Sequence, residues 1–480
     1  MNKLSVDVAV IGTGTAGLAA YRAAKAQGKH VVVIEGGPYG TTCARVGCMP
    51  SKLLIAASEA AHMLALAPGF GVHPGTVRID GKAVMDRVRR ERDRFVGFVL
   101  ESVDHIPADD KLRGYARFTG PQSLQVDDHT AIEARRIVIA TGSTPFVPPP
   151  LRNVGKGVIV SDDVFEWTDL PRSVAVIGTG VIGLELGQAL NRLGVRVSFF
   201  ARGRSIAQIT DPDILHVATS TLSDELDLRF EHNIVEARQD GDEVALTTRD
   251  AAGALRSERF QFVLSAAGRT PNVNNIGLEH SGLERDEHGV PLFDTSTMQC
   301  GSSPVFIAGD ANEERPVLPE AADHGKIAGD NAARYPDVHP GLRRTALAIA
   351  FTEPQIATLG EGYRALCAQG RSKFAIGKVS FMNQGRSRVM LQNHGALRVY
   401  GEYTSGRFLG AEMIGPRAEH LAHLLSWACQ ARLTVAQMLE MPFYHPVIEE
   451  GVRTALRDLA AQLEKGAPVA QDTPEALPGV

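Results

Sequence analysis

The chain has 480 residues, of which 44% are hydrophobic and 22% are charged. This length predicts several packed domains, and the apolar fraction is sufficient for several cores. The formal net charge of −5 does not indicate a nucleic-acid-binding surface, so we expect small-molecule and protein partners.

The first predicted elements form a strand, a glycine-rich turn, a helix and a second strand. Val6–Ile11 predicts the first strand and Leu18–Ala26 the helix. Val31–Ile34 predicts the second strand, which ends at Glu35. This order is the dinucleotide-binding fingerprint, in which the N-terminus of the helix faces a pyrophosphate.

Three glycines of this turn have distinct expected roles. Gly12 permits the tight turn, Gly14 lets the backbone approach the pyrophosphate, and Gly17 lets the helix lie close to the strand. Glu35 can accept hydrogen bonds from a ribose hydroxyl, which suits FAD or NAD. A single glycine-rich turn is weak evidence, because such turns also serve purely structural purposes.

Two cysteines follow directly, in the segment Gly40-Thr-Thr42-Cys43-Ala-Arg45-Val-Gly47-Cys48-Met-Pro50-Ser-Lys52. The four residues between them suit a disulfide that closes one distorted helical turn, and Leu53–Ala65 predicts the helix that follows. A nearby helix N-terminus would lower the pKa of a thiol. Zinc would need two further ligands, and no Cys/His pair of suitable spacing stands elsewhere. We therefore predict a redox function for Cys43 and Cys48, with no metal.

The remaining cysteine usage indicates the cellular compartment. The five cysteines, at positions 43, 48, 300, 367 and 429, are sparse and odd in number, unlike a secreted disulfide framework. The first apolar run, Val6–Ile11, is too short to span a membrane or to act as a signal peptide. We expect a cytoplasmic protein with no membrane partner.

The strand–turn–helix–strand plan returns from residue 174. Val174–Ile177 predicts a strand, Leu184–Leu193 a helix and Val195–Phe200 a second strand. The turn between them carries Gly178, Gly180 and Gly183. Since both copies have the same spacing and context, a purely structural origin is a weak explanation for the pair.

The second copy differs from the first at the position that reports on the ribose. Ala201 stands where the first copy has Glu35, and Arg202 and Arg204 follow it. Loss of an acid and gain of two cations are typical of a site for a 2′-phosphate. This favours NADP, with NAD possible, although arginines on a solvated loop remain an alternative.

Taken together, these residues resemble the class I pyridine nucleotide–disulfide oxidoreductase family, in the general form of dihydrolipoamide dehydrogenase, from about Val6 to Leu459. The cysteine segment is highly specific for that family. Three further segments match it in order: Ile139-Ala-Thr141-Gly142-Ser, Ala267-Gly268-Arg269-Thr-Pro-Asn272 and Val305-Phe-Ile-Ala-Gly309-Asp310. The resemblance implies that Asp310 contacts the ribityl chain of FAD. It also implies cofactor-binding roles for Thr42, Thr141, Gly142, Gly268, Arg269 and Gly309.

The resemblance also implies catalytic residues beyond the cysteines. Tyr444-His445-Pro446-Val-Ile-Glu449-Glu450 is similar to the family's His-Pro-x-x-x-Glu. It implies that His445 is the acid–base catalyst, that Glu450 orients it, and that it reaches the partner subunit's cysteines in a homodimer. Lys52 and Glu185 correspond to an ion pair beside the flavin. Alone, each of these residues would be read as a surface charge or a helix cap.

We predict an α/β fold with two Rossmann-like dinucleotide-binding domains and a C-terminal α+β dimerisation domain. The predicted divisions are 1–148 for the first part of the FAD domain, 149–270 for the NAD(P) domain, 271–345 for the second part of the FAD domain, 346–464 for dimerisation and 465–480 for a flexible tail.

The expected function is electron transfer between NAD(P)H, with NADPH favoured, and a small disulfide or dithiol through FAD and Cys43–Cys48. A glutathione-reductase-like enzyme, a flavin transhydrogenase or quinone reductase, and a scaffold component remain alternatives. Mercuric reductase is disfavoured because no cysteine pair follows Cys429. Ala201, Arg45, Tyr444 and Glu449 depart from the family's usual residues and leave the substrate open.

Overall fold

The computed structural model of the protein describes residues 1–370 and 373–467. The strands in these ranges are β1 (Asn2–Ile11), β2 (Val31–Glu35), β3 (Lys111–Arg113), β4 (Ala116–Gly120), β5 (Ser123–Val126), β6 (Thr130–Ile139), β7 (Ser143–Pro145), β8 (Val158–Val160), β9 (Ser173–Ile177), β10 (Arg196–Ala201), β11 (Asp227–Phe230), β12 (Asn233–Asp240), β13 (Glu243–Arg249), β14 (Leu255–Phe260), β15 (Phe262–Ser265), β16 (Arg269–Pro271), β17 (Val305–Ile307), β18 (Leu347–Ala350), β19 (Gln355–Gly360), β20 (Phe374–Ser380), β21 (Ala396–Glu402) and β22 (Phe408–Gly415). The helices are α1 (Thr15–Ala26), α2 (Thr42–Val46), α3 (Cys48–Leu66), α4 (Gly81–Asp104), α5 (Ser161–Val164), α6 (Val181–Arg192), α7 (Pro212–Ser223), α8 (Leu318–Arg334), α9 (Tyr363–Gln369), α10 (Gly385–Val389), α11 (Ala418–Gln430), α12 (Val435–Leu439) and α13 (Glu450–Lys465).

The first sheet contains the N-terminal glycine-rich turn. Its strands run in the order β3-β2-β1-β6-β5-β4, and β17 also pairs with β6. β1, β2, β3, β6 and β17 are parallel, so the segments that follow their carboxyl ends meet at one edge. α1 and α8 pack closely on one face, since a Cβ at Gly325 would lie only 2.1 Å from the Ala16 carbonyl oxygen.

The second sheet is a parallel sheet of five strands in the order β11-β10-β9-β15-β8. α6 follows β9 through the second glycine-rich turn. The antiparallel β12–β13–β14 sheet packs beside it, with Val244 and Phe260 in the shared core. β7 and β16 form a two-stranded ladder where the chain leaves the first sheet and returns to it.

The C-terminal sheet is antiparallel, in the order β18-β19-β22-β21-β20. α11 and α13 bury apolar side chains against it, including Leu425 and Leu456. The predicted fold is therefore confirmed: two nucleotide-binding α/β units and a C-terminal α+β unit. The domain boundaries stay a prediction.

Three helices begin earlier than the sequence predicts. α1 and α6 start directly after Gly14 and Gly180, which are their N-caps. α3 starts at Cys48 rather than at Leu53. Pro50 fits this earlier start because a residue of the first helical turn needs no intrahelical partner for its N–H.

The segment Thr42–Phe70 is long and apolar enough to cross a membrane by length and composition, with a mean hydropathy of 1.4. A single such segment is weak evidence, and core helices of soluble proteins pass the same criterion. Here α3 packs against α4 and α6 through Leu54 and Ile55. α13 ends at Lys465, and positions 468–480 of the predicted tail lie outside the described residues.

Candidate active site

The first glycine-rich turn has the geometry that the sequence predicts. Gly12 has a φ of +108°, and a Cβ there would lie 2.3 Å from the Ala140 carbonyl oxygen. A Cβ at Gly17 would lie 2.0 Å from the Gly12 carbonyl oxygen, so a side chain is excluded at both positions. At Gly14 a Cβ would meet no described atom within 4 Å. The N-terminus of α1 is therefore open to a phosphate group.

Glu35 lies at the carboxyl end of β2 and is held by the turn. One carboxylate oxygen accepts hydrogen bonds from the Thr13 backbone N–H at 2.9 Å and from its hydroxyl at 2.8 Å. The other accepts from the Gly37 N–H at 2.8 Å. A carboxylate has about four acceptor sites, so Glu35 retains capacity for a ribose hydroxyl.

Residues from three separate segments meet at the same sheet edge. The Ser143 hydroxyl donates to Asp310 at 2.7 Å, and Arg269 Nε donates to that hydroxyl at 2.8 Å. Gly142 and Gly309 have φ values of +69° and +70° that favour glycine. The sequence predicted Gly142, Arg269, Gly309 and Asp310 as site residues, and the structure brings them together.

Thr141 gives an independent test of whether this edge fits a dinucleotide. Its hydroxyl oxygen is buried and has no hydrogen-bond partner among the described residues. A buried hydroxyl without a partner is costly, and a bound ligand can supply the missing partner. With the open helix N-terminus at Gly14 and the acceptor at Glu35, these residues fit FAD.

The second turn repeats this geometry. A Cβ at Gly178 would lie 2.4 Å from the Ala266 carbonyl oxygen, and one at Gly183 would lie 2.4 Å from the Gly178 carbonyl oxygen. A Cβ at Gly180 or at Gly268 would meet no described atom within 4 Å. The N-terminus of α6 is therefore accessible to a second dinucleotide.

The two arginines after Ala201 differ in their contacts. The Arg204 guanidinium forms an ion pair with Glu231 at 2.9 Å, and both side chains are exposed. Arg202 is exposed and makes no hydrogen bond or ion pair with any residue that the structure describes. Both cations lie beyond the end of β10, where the predicted 2′-phosphate would bind. Arg204 would have to exchange Glu231 for that phosphate.

Cys43 lies in α2, and Cys48 is the first residue of α3. Both thiols are free. A hydrogen bond from Cys43 and the charge of Lys52 lower the pKa of Cys48 to about 7, although burial acts in the opposite direction. Because Cys43 donates that hydrogen bond and is itself partly buried, its pKa is raised. The pair therefore favours a thiolate at Cys48 and a protonated thiol at Cys43.

Lys52 and Glu185 form an ion pair across two helices. Lys52 Nζ lies 2.7 Å from Glu185 Oε2, and Glu185 is buried. The other carboxylate oxygen of Glu185 accepts from the Phe351 backbone N–H at 2.9 Å. Lys52 Nζ also lies 4.5 Å from the centroid of the Phe351 ring. Phe351 therefore supports both partners, and no motif in the sequence predicted it.

His445 and Glu450 also form a pair, at the start of α13. His445 Nδ1 lies 3.1 Å from both carboxylate oxygens of Glu450. Glu450 further accepts from the Val447 N–H at 3.2 Å and pairs with Arg453 at 3.2 Å. The hydrogen bond from His445 is the main reason that the pKa of Glu450 is lowered. His445 is 81% exposed, and within the described chain it makes no hydrogen bond with either cysteine.

Other predicted features of this region are placed as follows. Thr42 is the exposed first residue of α2. Thr41, which the sequence analysis did not single out, caps that helix by accepting from the Ala44 N–H. The side-chain stem of Arg45 lies against Gly40, and Lys52 supplies the cation that lowers the pKa of Cys48. Tyr444 is exposed.

Among residues 1–370 and 373–467, no group of three or more His, Cys, Asp or Glu side chains could hold a metal ion.

The chain is similar to known proteins in both sequence and fold. A family model described as pyridine nucleotide-disulphide oxidoreductase matches residues 6–325, and the dimerisation domain of that description matches residues 347–456. The chain is 30% identical to dihydrolipoyl dehydrogenase 3 of Pseudomonas aeruginosa, over 95% of this chain and 98% of that protein. It is also 30% identical to a mercuric reductase of Shigella flexneri, over 94% of this chain and 80% of that one. The crystal structure of LpdA from Mycobacterium tuberculosis has a similar fold, with a TM-score of 0.80, 23% identity and coverage of 95% and 99%.

Proposed function

The chain belongs to the pyridine nucleotide–disulphide oxidoreductase family, and within that family we propose that it transfers electrons from NADPH through FAD to a small-molecule disulfide. The same residues serve the reverse reaction, in which a dithiol is oxidised and the nicotinamide is reduced. The potentials and concentrations of the two couples decide the direction.

The observation that carries this proposal is the asymmetric thiol pair at the N-terminus of α3. Cys48 has the lowered pKa, and it lies near the Lys52–Glu185 ion pair. Cys43 keeps its proton and donates a hydrogen bond. Two structural thiols would need no such arrangement. A redox pair needs one stabilised thiolate and one thiol that can be deprotonated to attack the substrate.

Bound FAD would supply two electrons to the Cys43–Cys48 disulfide, having received them from NADPH as a hydride. The reduced pair then holds its negative charge on Cys48, where Lys52 stabilises it. Cys43 loses its proton and attacks one sulfur of the substrate disulfide, and the other sulfur leaves as a thiolate that takes up a proton. Cys48 then attacks Cys43, so the internal disulfide forms again and the second thiolate leaves and takes up a proton from solvent. The substrate gains two electrons and two protons.

His445 is the proposed carrier of the proton that Cys43 loses. An imidazole can take the proton of Cys43 and return it to the leaving thiolate. Glu450 fixes the orientation of the ring through Nδ1 and leaves Nε2 for proton transfer. Because His445 is exposed on its own chain, we propose that it acts on the cysteines of the partner subunit in a homodimer. The match to a dimerisation domain at residues 347–456 supports this arrangement.

NADPH is proposed in preference to NADH because of the loop after β10. The side chain of Ala201 cannot accept hydrogen bonds from a ribose hydroxyl, whereas Arg202 and Arg204 can donate to a 2′-phosphate. The free guanidinium of Arg202 is the main support for this preference. The sparse, odd-numbered cysteines are typical of the reducing cytoplasm, which we propose as the compartment.

The substrate is proposed as a small disulfide of the lipoamide or glutathione type. A relative named dihydrolipoyl dehydrogenase supports the lipoamide type. Ala201 with its two arginines supports a reductase that draws on NADPH. Steady-state assays with lipoamide and glutathione disulfide, in both directions, separate the two.

The proposal is tested by anaerobic titration of the purified yellow protein with NADPH. We expect the long-wavelength absorbance of a thiolate stacked on oxidised flavin, and we expect its loss in a Cys48→Ser variant. Cys367→Ser is the matched control because Cys367 is half-buried in α9, outside the proposed site. If the flavin bleaches without this band in the unmodified protein, the cysteines are not in the electron path. The flavin transhydrogenase or quinone reductase alternative would then replace the proposal.

A further inference from the structure

A cavity separate from the proposed redox site lies between the first nucleotide-binding unit and the C-terminal sheet. Its volume is about 330 Å³, which is at the low end of the range for small-molecule sites. Thr295, Glu314 and Arg315 line it from one side, and Gly360, Arg407 and Cys429 line it from the other. None of these residues takes part in the chemistry proposed above.

The cavity is lined by four arginines and two glutamates. Three of the arginines already have carboxylate partners. Arg343 pairs with Glu314 at 2.9 Å and with Glu320 at 3.0 Å, and Arg315 pairs with Glu320 at 3.1 Å. Arg344 pairs with Asp323 and is otherwise exposed.

Arg407 differs from the other three. Its guanidinium has no hydrogen bond or ion pair with any residue in the described ranges, and its Nε is buried. The Nε of Arg343, on the same cavity, is also buried without a partner. A guanidinium that lines a cavity and has no acceptor in the protein keeps its terminal N–H groups available to a ligand there, because burying charged donors without an acceptor is costly.

We propose that this cavity binds a small, multiply charged oxyanion, held chiefly by Arg407. Arg315 and Arg344 each use only part of their five N–H donors on their carboxylates, so they can also donate to the ligand. Guanidinium groups bind phosphate and carboxylate oxygens through paired hydrogen bonds, and this chemistry is common to organic phosphates and polycarboxylates. The ligand would join the two units that form the cavity walls.

Cys429 makes the occupancy of this cavity measurable. It is half-buried on the wall, its thiol donates to the Leu409 carbonyl oxygen at 3.4 Å, and burial raises its pKa. It should therefore react slowly but measurably with N-ethylmaleimide in the free enzyme. A ligand against Arg407 covers the thiol, whereas Cys367 lies on α9 and does not line the cavity.

The experiment uses the oxidised holoenzyme with pyrophosphate and, separately, citrate as probes. We expect saturable binding of at least one probe by calorimetry, and at least a tenfold slower alkylation of Cys429 at saturation, with Cys367 unchanged. The probe that binds more tightly identifies the ligand as a phosphate or a carboxylate. Alkylation of both cysteines is measured in the unmodified protein, so this result does not depend on the folding of a variant.

Variants then locate the site. Arg407→Gln keeps most of the side-chain volume and should weaken binding at least tenfold. An Arg202→Gln/Arg204→Gln double variant is the control and should leave the protection of Cys429 by the probe unchanged, because those residues belong to the proposed nucleotide site. Absence of saturable binding, failure to protect Cys429, or loss of this protection in the control variant but not in Arg407→Gln would each overturn the proposal.

Discussion

Lys52 Nζ lies 2.7 Å from Glu185 Oε2, although 133 residues separate the two in the sequence. The contact joins α3, which begins with Cys48, to α6, which begins at the second glycine-rich turn. The cysteine pair and the second glycine-rich turn are therefore linked through one buried carboxylate. In the proposed mechanism, this contact sets the charge around the thiolate.

The two members of this ion pair are expected to affect Cys48 in opposite directions. Lys52 lowers the pKa of Cys48 and Glu185 raises it. Lys52→Met should therefore raise that pKa, and Glu185→Gln should lower it, each by roughly one unit, which is the usual spread of side-chain pKa values in proteins. The pH dependence of Cys48 alkylation in the reduced enzyme measures both. A shift in the same direction in both variants would contradict the assignment.

The thiolate itself should titrate near neutral pH. With a pKa of about 7, Cys48 is mostly deprotonated above that pH in the reduced enzyme and becomes protonated as the pH falls below it. The hydrogen bond from Cys43 is the largest cause of this lowering. Cys43→Ala should therefore raise the pKa of Cys48 towards its usual value of about 8.5.

Cys43→Ser is the matched control for that prediction, because a serine hydroxyl can still donate the hydrogen bond. In this variant, the pKa of Cys48 should stay close to its value in the unmodified protein. Ultraviolet thiolate absorbance followed against pH distinguishes the two variants. Equal behaviour of the alanine and serine variants would show that the hydrogen bond does not control the thiolate.

The sequence predicted the glycine-rich turns well because their requirements are local. Gly12 and Gly178 combine a positive φ with a backbone oxygen where a side chain would stand, and only glycine meets both conditions. The repeated spacing then supplied the context. Strands and helices of both units follow from that pattern to within a few residues.

Other features depend on tertiary packing and left no local pattern. Phe351 holds Glu185 and lies over Lys52, yet an isolated phenylalanine predicts only a buried side chain. The pairing of Arg204 with Glu231 is likewise invisible in the sequence. Lys52 and Glu185 were singled out only through resemblance to a family, since each alone reads as a surface charge.

Selection of the nucleotide is expected to depend on the loop after β10. The Arg202→Gln/Arg204→Gln double variant should lower kcat/KM for NADPH by at least about tenfold, because each charge-assisted hydrogen bond is worth roughly 1.5–3 kcal/mol. The kcat/KM for NADH should change little. Equal losses with both nucleotides would mean that neither arginine contacts a 2′-phosphate.

Glu231→Gln tests the competing ion pair within the same loop region. Arg204 and Glu231 are both exposed, so the pair contributes at most about 1 kcal/mol. Removal of this ion pair should therefore lower the KM for NADPH, by at most about fivefold. An unchanged or higher KM for NADPH would show that Arg204 does not exchange Glu231 for the nucleotide.

The proposed action of His445 across subunits can be tested by mixing inactive chains. Cys43→Ser and His445→Gln homodimers should each lose disulfide turnover, the second by about 10²–10⁴-fold, since that is the usual contribution of an acid–base catalyst. Reduction of the flavin by NADPH should remain in both.

In a heterodimer of the two variants, with His445 acting across subunits, one site combines both substitutions. The other site combines an intact cysteine pair with an intact histidine from the opposite chain. That heterodimer should regain about half of the activity of the unmodified enzyme if His445 acts on the partner subunit. If His445 instead acted on the cysteines of its own chain, both sites of the heterodimer would carry one defect, and the mixture would stay inactive.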